Sequence, residues 1–345
     1  MTIVVVTGGT GYVGTHCVAE LLRQGYYVRA TVRDAKKEAL LKHALEQAAV
    51  DPEDRIEYMV ADLQNDSGWA DVMRGATYVL HVASPVPSSQ NPHAESMIAT
   101  AVEGTKRVLK FASDSNSVKR VVHTSSSAAV TSTKVPRDVY TESDFSDEST
   151  TKDAYIKSKT RSERAAWDFV KSKENLESPH PIELVVVNPV GIYGPVYDRS
   201  RAPSSVIIID FFAKGKLKWI CPDVAYGIVD VRDVAKIEIM AMETPEAKNE
   251  RFILCESEKV YSLVDIANMM KPELSPQQIS NLPKSATSSY LIRTLSYIVP
   301  PLRASVPLLG LRPSCSSKKA QEFFDWTPIP AAESVAASTR DLLNK

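Results

Sequence analysis

The chain carries almost no charge imbalance. Its 41 lysines and arginines face 42 acidic residues, a net charge of −1, which gives it no reason to seek nucleic acid or an anionic membrane. It is poor in cysteine: Cys17, Cys221, Cys255 and Cys315 stand far apart with no CxxC pair. That spacing excludes a disulfide framework and suits incidental buried thiols in a reducing compartment. The six histidines are equally scattered, so no metal is expected. No basic, then apolar, leader precedes Ile3, and the expected location is cytoplasmic. Long apolar runs are missing too. The stretch Tyr290–Leu311 is interrupted by Arg293, Pro300, Pro301, Arg303 and Pro307, whereas a membrane span needs about 20 apolar residues. There are no repeats, heptads or low-complexity tracts. What remains is an ordinary globular composition, 43% hydrophobic and 24% charged in 345 residues, enough for one large α/β domain or two unequal ones.

What is present is a succession of short β-branched runs, each followed by a helical pattern. Residues 3–7 read as a buried strand, and Gly8-Gly9-Thr10-Gly11-Tyr12-Val13-Gly14 follows before the helical spacing of Val18, Leu21 and Leu22. Glycines at that turn let the backbone approach a pyrophosphate at the helix N-terminus. A second strand, 27–32, ends at Arg33, with Lys36 and Lys37 beyond. In a dinucleotide fold that position faces the adenosine ribose, and an arginine there suits a 2′-phosphate, hence NADP(H). The spacing then predicts a helix over 35–48 and a strand over 56–60 ending near Asp62-Leu63, where an adenine could rest. A strand over 78–82 follows, and Val82, Ala83 and Ser84 lie beside the place of a nicotinamide. A helix over 93–115 and a strand over 118–124 come next, emptying into Ser125-Ser126-Ser127. Residues 131–153 read as a surface loop, followed by a helix to about Lys173 and a strand over 182–187. Such alternation argues for a doubly wound parallel sheet, whose ligands bind at the strand C-termini.

Tyr155 and Lys159 share one face of that last helix, one turn apart. An ammonium so placed is expected to draw the phenol below its ordinary pKa of about 10, fitting it to pass a proton to a carbonyl.

With these motifs the chain resembles an extended short-chain dehydrogenase/reductase, in the branch of the dihydroflavonol, cinnamoyl-CoA and methylglyoxal (aldehyde) reductases. The resemblance rests on Thr7–Gly14, Val79–Pro85, Thr124–Ser126, Tyr155–Lys159, Asn188–Pro195, Asp230–Ala235 and Phe324–Pro328, and so runs through nearly the whole chain. It implies a Rossmann-type domain over 1–190 that also receives 226–255. A smaller, irregular substrate-binding portion would be formed by 191–225 and 256–345. It implies NADP(H) as cofactor, held by Gly8, Gly11, Tyr12, Val13, Gly14, Arg33, Lys37, Asp62, Leu63, Val82, Ala83, Ser84, Thr124, Tyr155, Lys159, Pro189, Ile192 and Ser204. It makes Ser126, rather than Ser125 or Ser127, the residue that hydrogen-bonds the substrate carbonyl, Tyr155 the acid and Lys159 the partner of both ribose and phenol. The expected reaction is reduction of an aldehyde or ketone to an alcohol, or its reverse. The substrate would be small, apolar or aromatic, met by Val86, Pro87, Ile192, Tyr193 and Tyr226, and the enzyme a monomer or homodimer without membrane or nucleic-acid partners. Two other readings share the fold: a nucleotide-sugar epimerase or dehydratase, and a non-catalytic NADP sensor. Epimerases carry an Asn-Val-x-Gly-Thr motif where this chain has Ala101-Val102-Glu103-Gly104-Thr105. Flavonoid reductases place an asparagine where this chain has Thr131, which argues against a flavonoid substrate.

Overall fold

In a computed structural model, which describes residues 2–85 and 94–343, seven parallel strands form one sheet. They are β1 (Ile3–Thr7), β2 (Tyr27–Val32), β3 (Ile56–Val60), β4 (Tyr78–His81), β5 (Arg120–Thr124), β6 (Glu183–Pro189) and β7 (Arg251–Leu254). Their order, β7-β6-β5-β4-β1-β2-β3, is that of a doubly wound sheet, with its direction reversing between β1 and β4. Strands of such a sheet are covered on both faces, which is why Val4, Val5 and Val6, all 0% exposed, can be consecutive and apolar. Val5, Val79, Val121 and Leu184 from four neighbouring strands meet Val108 and Leu109 in a single buried cluster.

Helices α1 (Tyr12–Arg23), α2 (Glu38–Gln47), α3 (Trp69–Met73), α4 (Ala94–Asp114), α5 (Ala154–Val170) and α6 (Val231–Glu243) accompany the sheet. The expected helix over 35–48 is divided. Asp34 accepts from the Lys36 amide at 2.9 Å and closes a tight turn over Ala35–Lys37 before α2 begins. The five-residue α3 was too short to show a period; Trp69 anchors it by donating Nε1 to the Asp62 carbonyl at 2.9 Å. Helix α5 stops at Val170, and a separate short turn, Lys173–Leu176, is capped by Ser172.

Two compact units emerge. The first comprises residues 1–136, 141–189 and 232–254; the second comprises 137–140, 190–231 and 255–345. Residues 226–231 thus lie with the second unit. That unit pairs the short strands Gly191–Tyr193 and Ile228–Asp230 in parallel, and Ala225–Tyr226 with Tyr261–Ser262 antiparallel. Its helix Ala331–Leu343 packs onto the first of these, Ser338 bonding both N–H and C=O of Gly194 at 2.8 and 2.7 Å. The four cysteines are free and buried, and no helix among the described residues is long and apolar enough to cross a membrane.

Candidate active site

The glycine turn is held by its own backbone. Gly8 has φ +70°, and a methyl group on Gly14 would lie 2.3 Å from the Gly8 carbonyl oxygen, so neither position accepts a side chain without rearrangement. Gly11 donates its N–H to that same carbonyl at 2.9 Å and then serves as N-cap of α1 without any side-chain cap. No acidic residue lies in the first turn of α1. An uncapped helix start carrying partial positive charge beside a cradle that excludes side chains fits a pyrophosphate.

Arg33 stands exposed just past β2, with no hydrogen bond or ion pair among the described residues, and Lys37 ends the following turn. Asp62 and Leu63 follow β3, the Asp62 carboxylate accepting from the Gln64 amide at 2.9 Å. Val82, Ala83 and Ser84 leave β4, where the Ala83 amide donates to Thr7 Oγ1 at 3.0 Å. Thr7 also meets His81 Nδ1 at 2.9 Å, which locks the ends of β1 and β4 together at the reversal point of the sheet. Val86 and Pro87, expected to face substrate, lie outside the described residues.

Asp153 caps α5, accepting from the Tyr155 and Ile156 amides at 2.7 and 3.3 Å, which sets Tyr155 in the first turn and Lys159 one turn further. Ser126, at the end of β5, acts on the Tyr155 phenol and draws its pKa down. The neighbouring Ser125 is occupied: its hydroxyl donates to Glu163 Oε2 at 2.6 Å. Lys159, 5% exposed, sends its ammonium to the Thr124 carbonyl at 3.2 Å and to no other acceptor among the described residues, leaving two of its three protons to give. Lys159 does not lower the Tyr155 phenol as expected. Burial raises that phenol above its ordinary value, the Ser126 hydrogen bond opposing this and the Asp153 charge adding to it. Burial likewise lowers Lys159 to about 8, against the pull of Glu163 and Glu238.

Gly8 to Gly14, Arg33, Lys37, Asp62, Leu63, Val82, Ala83, Ser84, Thr124, Ser126, Tyr155, Lys159 and Pro189 all fall in the first unit, most of them at strand C-termini. Ile192 and Ser204 belong to the second. There Ser205 donates to the Ile192 carbonyl at 2.8 Å, and the Tyr193 and Tyr226 hydroxyls meet at 2.7 Å. Among the described residues no group of three or more His, Cys, Asp and Glu could hold a metal.

Residues not singled out in the sequence support this arrangement. Glu163 binds the Arg251 guanidinium at 2.6 Å, and Asn188 donates Nδ2 both to Glu163 at 2.8 Å and to the Ser126 carbonyl at 3.0 Å. Glu163 lies one helical turn beyond Lys159, so the period that joined Tyr155 to Lys159 reaches it as well. Glu238 on α6 accepts from Thr124 Oγ1 at 2.6 Å and from Cys17 Sγ at 3.2 Å. No local spacing signals that contact.

The model of the NAD dependent epimerase/dehydratase family matches residues 4–255. A cinnamoyl-CoA reductase of Petunia hybrida is 35% identical over 298 residues, covering 84% of this chain and 83% of its own. One from Medicago truncatula is 33% identical over 283 residues, covering 79% and 81%. Among solved structures, Gre2 from Candida albicans in complex with NADPH superposes with a TM-score of 0.79 at 26% identity, covering 100% of this chain and 99% of that one.

Proposed function

Since the chain belongs to the NAD dependent epimerase/dehydratase family and is similar to reductases, we propose that it is an oxidoreductase that uses NADPH to reduce an aldehyde or ketone. The observation that carries this reading is Tyr155 in the first turn of α5, with Ser126 acting on its phenol, and one turn on a buried Lys159 whose ammonium meets only the Thr124 carbonyl among the described residues. The glycine cradle and the uncapped start of α1 would hold the pyrophosphate, Arg33 and Lys37 a 2′-phosphate, and Lys159 the ribose hydroxyls beside the nicotinamide.

NADPH, when bound, supplies the hydride that adds to the carbonyl carbon. The protein supplies the rest. Tyr155 delivers a proton to the carbonyl oxygen, so that C=O becomes CH–OH with one hydride and one proton consumed. Ser126 steadies that oxygen and, after transfer, donates to the phenolate. The raised pKa of Tyr155 keeps the phenol protonated at neutral pH and so available as an acid; the Lys159 ammonium offsets the negative charge left on it. Arg251, Glu163 and Asn188 fix the loop from which Ser126 projects.

The test is consumption of NADPH with a panel of aldehydes and ketones. Removal of a general acid typically costs about 10²–10⁴ in rate. Tyr155→Phe should lose turnover by such a factor while still binding NADPH and melting at the wild-type temperature. Ser126→Ala should act on the same step, so the double variant should fall well short of the product of the single losses. No NADPH consumption with any carbonyl would sink the reading.

A further inference from the structure

Among the buried charged side chains of the first unit, Glu163, Arg251, Lys159 and Glu238 sort into two pairs. Glu163, 0% exposed, is joined to the Arg251 guanidinium at 2.6 Å, so its charge is met directly. Lys159 and Glu238 remain. Among the described residues Lys159 bonds no carboxylate, and Glu238, also 0% exposed, bonds no cation: it has only the Thr124 hydroxyl at 2.6 Å and the Cys17 thiol at 3.2 Å. Thr124 joins the two, giving its hydroxyl to Glu238 and accepting the Lys159 ammonium on its carbonyl at 3.2 Å. A buried ion without a counter-charge is strongly disfavoured; Glu163 also pulls on Lys159 but is already met by Arg251, so Glu238 is the carboxylate of this group whose charge has no cation bonded to it among the described residues.

We propose that Glu238 is a positioning residue for Lys159: its carboxylate keeps the lysine in the ammonium form, and through Thr124 it fixes where that ammonium sits. This rests on the role given above to Lys159. The surrounding groups agree. Lys159 faces Tyr155 and Glu163 on its own helix, His81 on β4, His123 on β5 and Glu238 on α6; Glu238 faces Cys17 of α1, which lies near Glu20. Both histidines are held neutral by burial, with His81 lowered to about 3, and the Cys17 thiol is pushed well up, so none of these contributes a charge at neutral pH. Burial raises Glu238 itself to about 7, opposed by Thr124, Cys17 and the Lys159 charge.

The decisive measurement needs no turnover: the protonation of Lys159, followed by NMR of Cε-labelled lysine in the cofactor-free protein. Glu238→Gln preserves shape and can still accept from Thr124, but removes the charge. Lys159 should then lose its proton about one pH unit or more lower. NADPH affinity, read by fluorescence titration, should lose its alkaline range in step, and Glu238→Asp should bring the Lys159 midpoint back toward wild type. An unmoved Lys159 midpoint in the glutamine variant overturns the proposal, because a merely structural Glu238 predicts that result. Should that variant not fold, carboxyl-labelled glutamate in the wild type decides. Glu238 must be ionised while Lys159 is still protonated, and a Glu238 that stays protonated through the Lys159 midpoint overturns the proposal equally. Tyr155→Phe reports on the catalytic reading separately, since its turnover can fail to drop while the Lys159 titration still depends on Glu238.

Discussion

Arg33 stands exposed with no ion pair among the described residues, while its acidic neighbour Asp34 is occupied in capping the Lys36 amide at 2.9 Å. A free guanidinium in that position is the reason to expect a 2′-phosphate partner. A charge-assisted hydrogen bond contributes roughly 1.5–3 kcal/mol, about 10- to 150-fold in affinity. Arg33→Ala should therefore weaken NADPH by such a factor and leave NADH nearly unchanged, as measured by paired fluorescence titrations; an undiminished NADPH preference would refute the assignment. Arg33 was readable in the sequence because it follows a recognisable strand, and Tyr155 with Lys159 because they share a helical period. Glu238 was not. Its partner Cys17 is 221 residues away, and only the fold brings the thiol to the carboxylate. The direction of the Tyr155 pKa was missed for a related reason: spacing reports a neighbouring charge, whereas burial, which leads the rise of the phenol, belongs to the packed molecule.

The elements of the first unit were legible where a period had room to repeat. Strands β1, β2 and β3 match their expected spans, since β-branched runs covered on both faces leave few other solutions. The short α3 and the break before α2 were not legible: one depends on Trp69 reaching the Asp62 carbonyl, the other on a side-chain cap. Helix α5 shows how an end can matter to a site. Asp153 accepts from the Tyr155 amide at 2.7 Å, so the cap that starts the helix also aims the phenol. Losing such a cap costs about 0.5–2 kcal/mol. Asp153→Ala should lower the melting temperature and reduce kcat more than it weakens NADPH binding. Asp153→Asn keeps the cap but removes a charge that pushes the phenol up, so stability should hold while the Tyr155 pKa moves down. Equal kinetic losses in both variants would show that charge, not aim, is what Asp153 supplies.

At the scale of the whole molecule, the doubly wound parallel sheet followed from alternation of strands and helices, whereas the second unit, with strands of two and three residues, offered no period to read. The first unit also contains a feature with consequences for the stability of the entire sheet. His81 and His123 stack face to face between β4 and β5 with ring centroids 5.1 Å apart, both buried. His81 has hydroxyl partners in Thr7 and Thr105, while neither ring nitrogen of His123 meets a partner among the described residues. Burial holds both below the ordinary value, His81 at about 3. Unfolded histidine titrates near 6.5, so below that pH the unfolded chain binds protons that the folded one refuses. The folded state is therefore at full advantage above about pH 6.5 and loses stability as the pH falls toward the folded values, each histidine contributing up to about 1.4 kcal/mol per pH unit. His123→Phe keeps an aromatic ring against His81 and removes two unsatisfied buried nitrogens. At pH 7 it should be at least as stable as wild type, and between pH 6 and pH 5 its stability should fall less steeply than that of wild type, by up to about 1.4 kcal/mol per pH unit, as read by urea unfolding at each pH. An acid slope equal to that of wild type would mean that other groups, not this pair, govern the loss.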